Sequence, residues 1–331
     1  MNLTGERPLT GGGTPFVSIV VPVRDGEGFI GNCLTSVLGA RYPSDRREIL
    51  VVDNGSADRT AEIVKRHPVT YLFEPKIGPS HARNRGIEAS SGEIVAFLDA
   101  DCVVTKGWLE ELVALFAAAD VWGVAGEILS YPPETGAQRY MAMRRVRWQK
   151  PAVESEWWPF AVTANVAFRK ETFDRVGYFD PTLIRAQDKD FGRRFLSTGL
   201  KMAYSPKAVV FHRHRATTRG FFQQHQGWGF GAALLHMKYG LAWGWGHEAR
   251  KYGELLRSIW ELGGSGLQYA RRDGGETDFY YAYYEVLRRV AHRIGLLQGI
   301  AWRLKRGWNA EWPASPLHAS PPPGSPSQET K

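Results

Sequence analysis

Cysteine is scarce: Cys33 and Cys102 are the only two in 331 residues. Two cysteines cannot build a disulfide framework, and their separation lacks the spacing of a metal-ligand pair. Both read as small buried residues of a protein in a reducing compartment. Long apolar runs are missing as well. No stretch approaches the run of about 18 apolar residues that a membrane span requires. Residues 1–15 are polar and glycine-rich, without the apolar centre of a secretory leader. Together these absences predict a cytoplasmic location. No internal repeat is present, which excludes a solenoid.

Acidic residues are short in one region. Residues 1–200 hold 24 Lys and Arg against 25 Asp and Glu, whereas residues 201–312 hold 17 against 8. The net charge of +8 therefore belongs to the C-terminal third. A basic surface attracts nucleic acid, anionic lipid or acidic substrates alike.

The first half alternates strand-like and helix-like segments, which predicts an α/β fold with a largely parallel sheet. Strands are expected at 16–22, 48–52, 69–73, 93–98, 122–129, 161–168 and 208–212. Helices are expected at 28–38, 58–66, 80–89, 109–118, 188–196 and through 218–307. Residues 131–159 break the pattern with Pro-Pro, several Arg and Trp148, Trp157 and Trp158, as an insertion or a lid would. The Pro- and Ser-rich stretch 313–331 reads as disordered.

Asp99-Ala100-Asp101 closes the apolar run 94–98. Two carboxylates one residue apart, at the carboxyl end of a core strand, stand where an α/β sheet places its ligands. They suit Mg²⁺ or Mn²⁺ holding phosphate oxygens, although Asp is also ordinary turn chemistry. Gly26, Gly28 and Gly31 match G-x-G-x-x-G, with Asp53 further on, as in dinucleotide sites; the stretch Pro22-Val23-Arg24-Asp25 intervenes where the glycine turn should leave the strand directly. Asp53-Asn54-Gly55 is either a nucleoside-binding acid or an Asx turn. The segment 78–86 opens a helix with His81, Arg83 and Arg85, suited to an anionic ligand or to a solvated face.

Four segments then occur in order: Val20-Val21-Pro22-Val23-Arg24-Asp25, Val51-Val52-Asp53-Asn54-Gly55-Ser56, Ala82-Arg83-Asn84-Arg85-Gly86 and Phe97-Leu98-Asp99-Ala100-Asp101. The set resembles family 2 glycosyltransferases of the GT-A fold, over residues 16–215. Asn165 to Lys170 and Val176 to Asp180 are similar to the same family. The resemblance implies a Rossmann-like mixed sheet flanked by helices, with a helical extension over 216–312. It implies an inverting hexosyltransferase that uses a nucleoside-diphosphate sugar, UDP-linked, and a hydroxyl acceptor. Pro22, Val23, Arg24, Asp53, Arg83, Asp99 and Ala100 would hold the nucleotide sugar. Asp101 would ligate a divalent metal, Mn or Mg, with His212 or else His214 completing the site. Asp188 would be the general base, with Gln187 where the family commonly has Glu. Asp190, two residues on, would point about 200° away on a helix. Asn165, Trp158, Gln187 and Trp228 would lie on the acceptor side. Trp228 ends Gln224-His225-Gln226-Gly227-Trp228, which resembles the Q-x-x-R-W motif of processive members with Gly in place of Arg. It would stack on a sugar or pack in the core.

Tyr283, Leu287, Val290, Ile294, Leu297, Ala301 and Leu304 form an apolar stripe at spacings of four and three, rimmed by Arg288, Arg289, His292, Arg293, Arg303, Lys305 and Arg306. With Trp302 and Trp308, residues 280–308 would lie on an anionic membrane surface at the cytoplasmic face, or pack on the catalytic domain. A lipid-linked or cell-envelope acceptor would fit the first alternative. A sugar nucleotidylyltransferase, an NAD(P)-dependent oxidoreductase and a non-catalytic binding module are the rival classes. Nucleic acid is not an expected partner.

Overall fold

The computed structural model describes residues 13–155, 158–241, 245–271 and 276–305. The expectations for residues 1–12, Trp157, Trp308 and the stretch 313–331 lie outside the described residues. A single eight-stranded sheet runs in the order β3-β2-β1-β4-β7-β6-β8-β5. Its strands are β1 (Val17–Val23), β2 (Arg47–Asp53), β3 (Thr70–Phe73), β4 (Ile94–Leu98), β5 (Cys102–Val104), β6 (Val121–Ser130), β7 (Asn165–Arg169) and β8 (Lys201–His212). The first four are parallel to one another. β7 is antiparallel to both β4 and β6, β6 and β8 run parallel, and β5 is antiparallel to β8. The sheet is therefore mixed, as the family resemblance implies, with the largely parallel part confined to β1–β4.

β1, β2 and β4 are nearly continuous apolar runs because helices cover both faces of the sheet. On one face lie α1 (Ile30–Leu38) and α4 (Trp108–Val113), which bury Ile30, Leu34, Trp108 and Leu112. On the other, α3 (Pro79–Ala89) and α8 (Gln187–Ser197) join an aromatic cluster of Phe97, Phe168, Phe173, Phe179 and Phe191. Short helices α2 (Thr60–Lys65) and α7 (Thr172–Val176) fill the connections.

Three elements differ from the sequence reading. β5 has only three residues and escapes any periodicity test. β7 begins at Asn165, because the segment before it is a turn in which Asn165 N donates to Val162 O. β8 begins at Lys201 despite Pro206. Its pairing with β6 jumps from Gly126↔Ser205 to Glu127↔Val209, so Pro206 falls in a bulge where no ladder amide is needed.

Residues 131–159 are not structureless. They contain α5 (Gly136–Met143) and α6 (Lys150–Val153), and α5 starts at a capping box of Thr135 and Gln138. Tyr140 on α5 packs against Phe221 and Tyr284, and its hydroxyl donates to Glu285. That contact ties α5 to the C-terminal helices α9 (Thr218–Lys238), α10 (Trp245–Ala270) and α11 (Glu276–Lys305).

α9 and α11 approach through small residues. A Cβ on Gly229 would lie 1.9 Å from His292 O, and one on Gly295 would lie 1.8 Å from Gln226 O. The face of α11 turned to α9 therefore carries Ala291, Gly295, Leu296 and Gly299. The stripe expected from the sequence divides. Tyr283 and Leu287 join the aromatic cluster, whereas Ile294, Leu297 and Leu304 are exposed. α10 lies outside α11, held by Arg289 Nη1 to Glu254 Oε2 at 2.6 Å and by Arg293 over the Tyr252 ring at 4.7 Å.

Two stability outcomes follow from this packing. Gly295→Leu should destabilise by at least about 3 kcal/mol, because backbone must move to admit the side chain. Gly253→Ala, whose Cβ meets nothing within 4 Å on an exposed helix interior, should stabilise by about 1 kcal/mol. Chemical denaturation of the two variants beside wild type checks both signs. Burial also pushes the His225 imidazole from its ordinary 6.5 down to about 4. Between those values the unfolded chain takes up a proton that the folded chain refuses, so stability falls as pH drops. At 1.36 kcal/mol per unit this amounts to roughly 3 kcal/mol by pH 4. Melting curves of wild type and His225→Phe across that window should show a shallower acid slope in the variant.

Candidate active site

The carboxyl ends of β2, β1 and β4 lie side by side, since the register pairs Val23 with Asp53 and Val20 with Phe97. Pro22 and Val23 end β1 there. Arg24 follows with its side chain half in solvent, 3.7 Å from Asp25. Asp53 is buried; it accepts from Ser56 N and from the Tyr71 hydroxyl, both at 2.9 Å. Asn54 shapes the edge below it. Its amide donates to Glu74 O and Lys76 O and accepts from Gly78 N at 2.7 Å, which sets the start of α3.

The loop Gly26 to Gly31 is not a phosphate cradle. The Gly26 amide donates to Thr60 Oγ1 at 2.8 Å, and the Glu27 amide to Asp58 Oδ2 at 3.0 Å. Donors that would receive a pyrophosphate are engaged, one by a carboxylate, and Glu27 adds further negative charge.

Beyond β4 the chain turns sharply, with Cys102 N donating to Asp99 O at 3.0 Å. β5 then pairs with β8 so that Cys102 faces His212, and Arg213 N donates to Asp101 O at 2.9 Å. This register delivers His212 to the Asp pair. Ligand atoms of Asp99, Asp101 and His212 all lie within 4.8 Å of one another. His212 Nε2 stands 3.4 Å from Asp101 Oδ1. Asp101 Oδ1 and both His212 ring nitrogens are buried without a hydrogen-bond partner. Burial raises the Asp101 carboxyl, opposed by Arg147 and Arg215. Burial, reinforced by Arg147, holds His212 well below its usual range, so its imidazole is neutral and a lone pair is free. Unpartnered buried polar atoms are costly, and two carboxylates beside a neutral imidazole fit a divalent cation. His214 stands aside: its ring Nε2 pairs with Ser130 Oγ at 2.8 Å, and it is not a member of the three-residue group.

Arginines surround this group. Arg83, buried on α3, reaches Asp99 Oδ1 at 3.2 Å and lies over the Phe179 ring. Arg147, from the segment between α5 and α6, reaches Asp99 Oδ2 at 3.8 Å. Arg215, three residues past His212, bears on both Asp101 and His212 and repels Arg185. Arg185 folds over α9, where a Cβ on Gly227 would meet its Nε at 2.9 Å. The glycine that departs from Q-x-x-R-W thus leaves room for a guanidinium from another segment. Sequence reasoning missed Arg147, Arg185 and Arg215; the Arg-rich run 139–147 was the one visible signal, and it pointed to Arg147 alone.

Ala186, which has φ +64°, immediately precedes α8. In its first turn Asp188 is partly exposed, accepts from Lys189 N at 2.9 Å and makes no ion pair among the described residues. Gln187 is buried, and its Nε2 has no partner. Asp190 points inward, fully buried, bound to Arg194, Lys238 and the Tyr239 hydroxyl. Its carboxylate is consumed by structure, as the helical geometry predicts. Trp158 donates to Lys189 O at 2.9 Å and braces α8 against Tyr239. Trp228 packs on His225 with ring centroids 4.7 Å apart. Asn165 is fully buried: its amide donates to Glu127 O and Ala208 O and accepts from Trp108 Nε1. It holds the sheet together and has no free polar atom to turn to an acceptor.

With this geometry in place, comparison with known proteins is decisive on class. The family model "Glycosyl transferase family 2" matches residues 18–177. Glycosyltransferase AglE of Haloferax volcanii is 33% identical over 209 residues, which cover 61% of this chain and 68% of that protein. The pre-mycofactocin glycosyltransferase of Mycobacterium tuberculosis is 31% identical over 242 residues, 70% of this chain; the match spans about half of its length. Among solved structures, a mannosyltransferase of Pyrobaculum calidifontis in complex with GDP-Man and Mn²⁺ has a similar fold, with a TM-score of 0.54 at 22% identity. That likeness covers 92% of this chain and 78% of the other. The chain belongs to glycosyltransferase family 2: it is a glycosyltransferase with the GT-A fold.

Removing a ligand should be visible without any substrate. Asp101→Ala and His212→Ala should each weaken Mn²⁺ binding by about 100-fold or more, measured by titration calorimetry, while His214→Ala should weaken it by about tenfold at most.

Proposed function

We propose that this enzyme moves a hexosyl group from a UDP-linked donor to a hydroxyl acceptor with inversion at the anomeric carbon. The observation that carries the reading is the Asp99–Asp101–His212 group, flanked by Arg83 and Arg147 at the carboxyl edge of the sheet. Asp53, with Pro22, Val23 and Arg24, takes the nucleoside. Its carboxylate is already held by Ser56 and Tyr71, so it meets the ribose or base in a fixed orientation. Asp99 and Ala100 lie under the sugar.

Asp188 is the residue assigned to proton transfer. It lies in the first turn of α8, partly open to solvent, with no cation paired to it among the described residues. Its carboxylate takes the acceptor hydroxyl proton as the oxygen attacks the anomeric carbon. The new carbon–oxygen bond forms while the bond to the diphosphate oxygen breaks on the opposite side, which inverts the centre. The leaving diphosphate keeps the electron pair, and Arg83 and Arg147 face that developing charge. Asp99, Asp101 and His212 would hold a divalent cation, Mn²⁺ in preference because an imidazole joins two carboxylates, and a bound cation offsets charge on the leaving group. Gln187, Trp158 and Trp228 border the acceptor side, with Asn165 behind them as framework. A lipid-linked or cell-envelope acceptor, met at the cytoplasmic face of a membrane, completes the reading.

The rival classes lose their footing here. The oxidoreductase reading rested on the Gly26–Gly31 loop, whose amides are engaged. The nucleotidylyltransferase and binding-module readings yield to the family assignment.

Titration calorimetry of UDP and of GDP, with Mn²⁺ and then with EDTA, tests the donor. UDP should bind only with metal and only with Asp101 intact; a preference for GDP would overturn the UDP assignment. Once turnover is established with a UDP-sugar, Asp188→Asn should lower kcat by about 10²- to 10⁴-fold with donor affinity within a few-fold of wild type.

A further inference from the structure

Much of the basic rim that the sequence assigns to α11 is tied up in contacts with neighbouring groups, although Lys305 is exposed. Arg288 is bound to Glu285 and the Tyr140 hydroxyl, and Arg289 to Glu254 and Glu285. The outermost helix of the described chain is instead α10, and its outer face is apolar. Trp260 is 80% exposed and Leu256 68%, while Tyr252, Ile259 and Leu267 are each about half exposed. At 100° per residue these five side chains fall within one sector of about 100°. Ser258 is buried and Glu254 is held by Arg289, which marks the opposite, inward side. Beside the apolar sector run Arg250, Arg257 and Arg271, all exposed and with no carboxylate at ion-pair distance among the described residues, Arg250 bearing on Glu254 at longer range; Glu261 is an exposed acid on that side. Leu297 and Leu304 on α11 are both more than half exposed as well.

We propose that α10 is a membrane-contact helix that lies in the plane of an anionic lipid surface, with Leu256, Ile259, Trp260 and Leu267 in the acyl boundary and Arg250, Arg257 and Arg271 at the headgroup phosphates. A tryptophan exposed to this degree in the centre of a helix has no role in the fold: its removal uncovers nothing. An amphipathic helix with aromatic and leucine side chains on one face and arginines along the flank matches an interface of hydrocarbon beneath phosphate. A protein partner would need an acidic rim around an apolar groove, whereas the lipid surface supplies both layers together. The charge excess of residues 201–312 gives the attraction its sign. No helix among the described residues is long and apolar enough to cross a membrane, so contact along one face is the mode this helix offers. The assignment is independent of donor and acceptor chemistry.

The test uses the full chain and vesicles of phosphatidylglycerol with phosphatidylcholine, beside vesicles of phosphatidylcholine alone, in a flotation assay. The chain should bind the anionic vesicles and be released by high salt. Leu256→Glu with Trp260→Glu should lower partitioning by about tenfold or more, because two large apolar groups are lost from the acyl boundary. Each of Arg250→Gln, Arg257→Gln and Arg271→Gln should lower it about fivefold on anionic vesicles only. All variants should keep the wild-type melting temperature and metal-dependent UDP affinity, since these side chains touch neither core nor site; failure of UDP binding in wild type as well would count against the donor assignment and not against this one. No binding to anionic vesicles, or binding unchanged in the Leu256→Glu, Trp260→Glu variant, overturns the proposal. So does a dimer by light scattering that the same two substitutions dissolve while vesicle binding is absent, which would assign the face to a second copy of the chain.

Discussion

The position of the candidate metal group depends on one buried amide. Asn165 opens β7 and donates to carbonyls of β6 and β8 at once, Glu127 O and Ala208 O, while it accepts from the indole of Trp108. Those bonds sit where the β6–β8 register jumps, so Asn165 supplies the partner that the ladder lacks at the bulge. The bulge decides which residue of β8 faces Cys102, and therefore that His212 arrives beside Asp101. A register shift of one residue would point a neighbouring side chain there instead. Gln149 closes the same knot from the α6 side through its bonds to Gly126 O and Asn165 O.

Around that framework the electrostatics are built in opposition. Asp99 and Asp101 are drawn partly out of water, and each is faced by guanidinium groups from segments far apart in sequence: Arg83 from α3, Arg147 from the α5–α6 connection and Arg215 from beyond β8. The His212 imidazole is kept neutral by burial, with Arg147 and Arg215 adding to it. A region with both signs of charge held apart is organised before any ligand arrives, which is how preorganised sites limit reorganisation during reaction.

Much of this was legible in the sequence, and the reasons are local. β1, β2 and β4 announce themselves as short runs of buried aliphatics, and an acid directly after such a run marks the ligand-binding edge of a parallel sheet. Asp190 could be set aside by helical phase alone. The missed features share a cause: they depend on partners distant in the chain. Three-residue β5 exists only because β8 accepts it, and the bulge at Pro206 needs Asn165. Arg147 acquires a place only when α5 is fixed by Tyr284 and Glu285. The α11 stripe left open whether it packs or meets a membrane, and its period could not show that it divides, since α9 presents glycines and rewards small side chains over large ones.

The bond between the Tyr140 hydroxyl and Glu285 spans 145 residues of sequence. On a ribosome, β1 to β4 and the helices between them emerge early, whereas α5 gains its aromatic partners in steps, Phe221 when α9 has been made and Tyr284 with Glu285 only when α11 has been made. Arg147 is therefore seated after most of the chain is synthesised, and a nascent chain holds the parallel strands β1 to β4 before it holds the whole Asp99–Arg147 contact. Long-range closure of this kind is slow relative to the local contacts that precede it. Synthesis order thus acts as a clock: Arg83 stands beside Asp99 early, and Arg147 joins it only after α9 and α11 have been made.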